Sequence, residues 1–237
     1  MQYKKIIAFG DSFTRGDELA DCPTQSVDNP LAHSKHTWPA IIAKTLAIEY
    51  KCVAVGGRGN QWISNQVNRF IDYKSNCLFI VNWTYFGRFD FLDYEDKWST
   101  ICPGSANKKF VTDYYKNFDN HIWNLNRNLQ IIHSVLCLLK ENKIDFIFTC
   151  QDSAFKQTID NLHCQDITTY NHWQRSIGIL SQSVVPAINE FDNCTFTEWS
   201  INNGYELGPN GHPLEEAHAE AAKYINTNVI EGMTNEH

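Results

Sequence analysis

Residues 10–16 read Gly-Asp-Ser-Phe-Thr-Arg-Gly, directly after the apolar run Ile6-Ile7-Ala8-Phe9. A serine at such a turn has two chemical uses. Asp11 and Ser12 can cap the segment that follows, accepting from its first backbone N–H groups. Alternatively, the turn displays Ser12 Oγ as a nucleophile and aims the Ser12 N–H at developing negative charge. Acyl transfer needs such a hydroxyl, an imidazole to take its proton and donors for the oxyanion. Two more polar turns follow apolar runs: Gly56-Gly57-Arg58-Gly59 after residues 50–55, and Asn82-Trp83-Thr84 at the end of residues 76–81.

The elements that must position these turns alternate in type. Short β-branched runs at 4–9, 50–57, 76–83 and 144–150 read as buried strands, with a fifth expected at 194–199. Helical spacing marks 37–49, 63–73, 120–143 and 212–230, the last rich in Ala and Glu with Pro213 in its first turn. This order predicts an α/β fold: a three-layer α/β/α sandwich around a flavodoxin-like, mainly parallel five-stranded sheet. Ligands bind beyond the carboxyl ends of such strands, so the three polar turns are expected to converge on one edge. No linker or repeat interrupts the chain, which is read as a single domain over 1–237. Residues 86–119, rich in aromatic and charged residues, read as an insertion over the cleft.

Composition excludes several classes. A formal charge of −7 and scattered Lys and Arg argue against a nucleic-acid surface. The N-terminal apolar run is too short for a secretory signal, and no stretch is long enough for a membrane span. The eight cysteines form no C-x-x-C pair, so reduced thiols in a cytoplasmic protein are expected rather than disulfides or zinc. His33 and His36 lack further ligands at metal spacing and are assigned to a loop. Trp62 and Trp83 are assigned to the core, with a substrate wall as the second reading. Asp17, Glu18 and Asp21 are read as a solvated acidic loop.

Gly10-Asp11-Ser12-Phe13-Thr14-Arg15-Gly16 resembles the first block of the SGNH (GDSL-type) hydrolases. Gly56–Gly59 resembles their second block, although Ala54 stands where the family usually has Asn. The third block is altered: Asn82-Trp83-Thr84 with Arg88 is similar to a variant in SGNH-like proteins of tailed bacteriophages, whose first block reads Ser-Phe-Thr-x-Gly-x-Glu-Leu. His212-Pro213 matches the last block, but Pro209 occupies the position of the family's acid.

The resemblance implies a serine esterase without cofactor or metal. Ser12 would be the nucleophile and His212 the base. The oxyanion hole would draw on Ser12, Gly59 (or Gly57 in a shifted register) and the side chain of Thr84 or Asn82. Asp11, Asn210 and Arg88 would support them, with Asn210, Glu206 or a backbone carbonyl replacing the missing acid. His218, six residues past His212, points to another face of the helix. The implied substrate is a small-acyl ester, with an O-acetylated carbohydrate as the candidate, cleaved in a host cytoplasm or virion if the chain is phage-encoded. An acyltransferase would use the same serine. A binding or structural module that recognises glycans without efficient catalysis is the contrasting reading, motivated by the missing acid.

Overall fold

A computed structural model describes residues 3–22, 32–73, 76–103, 109–153, 155, 159 and 172–235. Its strands are β1 (Lys5–Phe9), β2 (Glu49–Cys52), β3 (Cys77–Trp83), β4 (Phe89–Leu92), β5 (Trp98–Ile101) and β6 (Asp145–Cys150). Four of them form a parallel sheet in the order β2-β1-β3-β6, while β4 and β5 pair antiparallel. All of β3 is buried, which is why its sequence is a continuous apolar run rather than an alternating one.

The helices are α1 (Ser12–Arg15), α2 (Trp38–Thr45), α3 (Asn60–Phe70), α4 (Lys109–Asn117), α5 (His121–Glu141), α6 (His172–Val184), α7 (Phe196–Asn202), α8 (Glu215–Ile225) and α9 (Glu231–Asn235). Successive side chains of a strand point to opposite faces, and β1 divides accordingly. Ile7 and Phe9 join a core with residues of α3, α5 and α6. Ile6 and Ala8 join a second core with residues of α2, α7 and α8. Burying a Phe or Ile side chain in such a layer contributes about 1.5–3 kcal/mol. The expected three-layer α/β/α sandwich is thus present.

The fifth strand is not. Residues 194–199 instead open helix α7, because Thr195 and Glu198 form a reciprocal capping box at its N-terminus. Among the described residues, the sheet is extended beyond β6 only by a bridge between Ile188 and Phe148, where Asn189 N donates to Phe148 O at 2.7 Å.

The β4–β5 hairpin comes from the aromatic segment and docks on the start of α3. Asp90 of β4 accepts from Gly59 N and Trp62 N, each at 2.9 Å, and from Thr100 Oγ1 at 2.6 Å. A Cβ on residue 59 would lie 2.6 Å from Asp90 Oδ2, so glycine there is what lets the carboxylate approach. The seven described cysteines are thiols; Cys164 lies outside the described residues. Among the described residues, no helix is long and apolar enough to cross a membrane.

Candidate active site

Strand β1 stops at Phe9, and Gly10 lets the chain turn under Thr14: a Cβ at Gly10 would meet Thr14 Oγ1 at 2.1 Å. Asp11 then caps α1, its Oδ1 accepting from Phe13 N at 3.1 Å. Its other oxygen has different work. Asp11 Oδ2 accepts from Thr84 Oγ1 at 2.6 Å and from Arg88 Nη1 at 2.7 Å, and the residue is wholly buried. Burial alone would lower the pKa of Arg88, but the charge of Asp11 raises it above its ordinary value.

Ser12, the first residue of α1, lines a cleft of about 530 Å³ with Phe13, Gly56, Gly57, Tyr85, Arg88 and His212. The Ser12 N–H belongs to the first helical turn, which has no intrahelical acceptor. The ring of Phe13 packs on that of His212 with centroids 4.7 Å apart.

His212 stands before α8, in a loop closed by the Leu207–Pro213 bridge and by Gly208 N donating to His212 O at 2.8 Å. Its Nδ1 lies 2.7 Å from Glu18 Oε2. An ionised carboxylate can only accept, so Nδ1 carries the hydrogen and Nε2 of the neutral ring keeps its lone pair. Glu18 also accepts from Asn210 N at 3.0 Å and Asn210 Nδ2 at 2.8 Å. Burial tends to raise its pKa, yet the hydrogen bonds from His212 and Asn210 outweigh this and hold it below the ordinary value.

Two backbone features make room for that carboxylate. Glu18 has φ +73°, in the left-handed region that non-glycine residues rarely adopt. Gly208 lacks the Cβ that would sit 2.7 Å from Glu18 Oε2. A further strut, Ala20 N to Glu215 Oε1 at 2.8 Å, ties the same loop to the start of α8.

The structure therefore brings Ser12, His212, Arg88 and Asn210 to one cleft and leaves other expected residues outside it. Gly59 N donates to Asp90. The single hydroxyl proton of Thr84 goes to Asp11. Asn82 is buried beneath the cleft, where its Oδ1 accepts from Thr149 Oγ1 at 2.9 Å. The Gly59 and Thr84 donors are engaged elsewhere and Asn82 is buried, while Gly57, the alternative register for Gly59, does line the cleft. Asn210 does not face Nδ1 of His212; it donates to Glu18. Glu206 is exposed, and its carbonyl accepts from Leu214 N.

The residue missed from sequence is Glu18. Two residues of the acidic run are not solvated, the Glu18 side chain being 6% exposed and that of Asp17 12%, whereas Asp21 is exposed as expected. Arg15 Nε lies 2.8 Å from Asp17 Oδ1, an ion pair outside hydrogen-bond alignment. Burial raises the Asp17 pKa, with Arg15 opposing it. The usable signal was the Ser-Phe-Thr-x-Gly-x-Glu-Leu pattern, whose Glu is this residue.

The remaining candidates have structural surroundings. His218 is buried, accepts from Trp38 N at 3.2 Å and packs on Phe196. His33 packs on Tyr50, and His36 faces Asp21 at 3.8 Å. Trp62 and Trp83 both belong to the core of β1 and β3. Among the described residues no group of His, Cys, Asp or Glu has the arrangement of a metal site.

A serine turn after β1, a histidine before α8 and a parallel sheet between helices place the chain in the α/β class with both residues at one cleft. The chain belongs to the GDSL-like lipase/acylhydrolase family, whose model matches residues 6–225. No curated protein matches it. Among solved structures, a putative lipolytic protein of the G-D-S-L family from Desulfitobacterium hafniense is 15% identical, with 94% of this chain and 98% of that one covered and a TM-score of 0.49. The esterase EstA from Pseudoalteromonas sp., in a structure inhibited by monoethylphosphonate, is 6% identical over 98% of this chain and 99% of that one, with a TM-score of 0.51. The acetyl xylan esterase Est2A from Butyrivibrio proteoclasticus is 14% identical over 97% of this chain and 64% of that one, with a TM-score of 0.49. At such identities the likeness is one of fold.

Proposed function

We propose that the protein is a serine ester hydrolase in which Ser12, His212 and Glu18 act together. His212 Nε2 takes the Ser12 hydroxyl proton as Oγ bonds to the ester carbonyl carbon. Glu18 fixes the Nδ1–H tautomer and balances the imidazolium that results. The N–H groups of Ser12 and Gly57 donate to the tetrahedral oxyanion. The intermediate collapses, His212 protonates the departing alcohol, and water, deprotonated by the same ring, releases the acid from Ser12. The observation that carries this reading is the 2.7 Å contact of Glu18 Oε2 with His212 Nδ1 in the cleft that Ser12 lines.

Glu18 also bears on the contrasting reading. A glycan-binding module was motivated by the absence of an acid beside His212, and Glu18 fills that place from another part of the chain. For the substrate we favour a small-acyl ester, with an O-acetylated carbohydrate as the candidate. Tyr85 in the cleft and the exposed rings of Tyr94 and Phe110 would suit stacking on sugar faces. The Trp83-Thr84…Arg88 spacing supports placing the chain with the SGNH-like proteins of tailed bacteriophages.

The test is Ser12→Ala. It is expected to abolish hydrolysis of p-nitrophenyl acetate and labelling by a fluorophosphonate. Equal turnover by wild type and variant would sink the proposal.

A further inference from the structure

The neutral donors expected at the oxyanion are turned away from the cleft or buried. Thr84 Oγ1 gives its proton to Asp11, Gly59 N–H is turned to Asp90, and Asn82 is buried on β3, where its Oδ1 accepts from Thr149 of β6. What remains beside Ser12 is a guanidinium. Arg88 Nη1 donates to Asp11 Oδ2 at 2.7 Å and to Arg58 O at 2.8 Å. Its carbon Cζ lies 5.3 Å from the centroid of the Tyr85 ring. The side chain is 12% exposed, and the residue lines the cleft.

An arginine carries five N–H donors in a planar fork. Both hydrogens of Nη1 are engaged, and neither Nε nor Nη2 has a hydrogen-bond partner among the described residues. Asp11, which anchors the fork, is bonded covalently to Ser12. The guanidinium is therefore held in place by the residue adjacent to the nucleophile, with donors left over.

We propose that Arg88 is a catalytic residue of this ester hydrolysis: its remaining N–H groups donate to the oxyanion in place of a block-three amide, and Asp11 is the residue that positions it. The proposal rests on the Ser12 reading above. A cationic donor forms shorter, stronger hydrogen bonds to an oxyanion than a neutral amide does. Its fixed position means little reorganisation as charge develops. The altered third block and the Asp11–Arg88 pair then have one explanation. The hydroxyl at Thr84 helps fix Asp11, and the donor to substrate comes four residues later.

Arg88→Lys tests this while keeping a cation for Asp11. A lysine amine bound to Asp11 lacks the rest of the fork. Its kcat on p-nitrophenyl acetate is expected to fall about 10²-fold or more, with KM changed less than about threefold and thermal stability near wild type. The rate of Ser12 labelling by a fluorophosphonate should fall in parallel, since phosphonylation builds charge on the same oxygen. The double variant Asp11→Asn/Arg88→Met removes both charges together and should show the same kinetic loss if folded. Arg88→Lys within threefold of wild-type kcat would overturn the proposal. So would a full loss in Tyr85→Phe with Arg88→Lys unaffected, which would assign the donor to the tyrosine. If wild-type protein neither turns over the ester nor labels at Ser12, the hydrolase reading itself fails. Activity in wild type with none lost in Arg88→Lys removes only the arginine.

Discussion

Glu18 Oε2 and His212 Nδ1 are 2.7 Å apart although the residues are separated by 194 positions in the chain. The left-handed backbone at Glu18 costs about 1–3 kcal/mol for a non-glycine residue. Hydrogen bonds from His212 and from both the backbone and side chain of Asn210 offset that cost. Strain of this kind persists where the surroundings over-determine it, which is what a positioned carboxylate requires.

Glu18→Gln should lower kcat by about 10³–10⁴-fold. The amide can donate to Nδ1 and so stabilise the tautomer with its hydrogen on Nε2, which cannot accept from Ser12. Glu206→Gln, at an exposed position, should change kcat less than about twofold. Steady-state hydrolysis of p-nitrophenyl acetate distinguishes them, and a Glu18→Gln variant with more than a tenth of wild-type kcat would remove Glu18 from the mechanism.

Gly208→Ala places a methyl 2.7 Å from Glu18 Oε2. The carboxylate must retreat from His212, and displacement by about 1 Å costs on the order of 10²-fold in rate. The measurement is kcat beside the melting temperature. A variant as active as wild type would mean that the loop gives way without disturbing the histidine.

Thr84→Val leaves Asp11 without one donor and should cost about 1–3 kcal/mol of stability. Its kcat should stay within a few fold, because the hydroxyl faces Asp11 rather than the cleft. Urea unfolding together with kcat checks this; a hundredfold kinetic loss at unchanged stability would return Thr84 to the oxyanion hole.

Stability should fall on acidification through His218. Burial, reinforced by the charge of His212, lowers its pKa to about 3, whereas the unfolded imidazole titrates near pH 6.5, about the ordinary value. Between those values the unfolded chain binds a proton that the native protein does not. Native stability from this group is complete above about pH 6.5 and declines as pH falls towards 3, by up to about 1.4 kcal/mol per pH unit. His218→Asn keeps an acceptor for Trp38 N–H and should flatten the dependence measured by urea unfolding at pH 7 and 4.5. An unchanged slope would contradict the assignment.

Much of the architecture was legible because buried parallel strands announce themselves. Residues 77–83 and 145–150 are short apolar runs, and the helices between them keep a 3.6-residue period. The fifth strand failed at Thr195. Residues 194–199 have strand-like composition, but Thr-x-x-Glu is also a capping box, and that local hydrogen-bond pattern won. The convergence of the polar turns followed from strand order, while His212 was placed beside Ser12 by the family resemblance. The acid did not, since nothing in the spacing of Asp17 and Glu18 says which carboxylate meets His212; that depends on a left-handed residue and on a glycine 190 positions away. Block three misleads for a similar reason: the Thr84 hydroxyl is a donor, as its type suggests, but Asp11 as its acceptor is visible only in three dimensions.

The contact between the Glu18 loop and the segment before α8 has a consequence for synthesis. A ribosome delivers the early carboxylate long before the late imidazole, so a growing chain can lay down β1, β2, β3 and β6 while this pairing is still unmade. Its closure depends on a contact of very high sequence separation, the kind that forms slowly. On the proposed mechanism, hydrolytic turnover would therefore report docking of the segment before α8 rather than assembly of the sheet, and the protein would stay inert towards esters until that segment had been built.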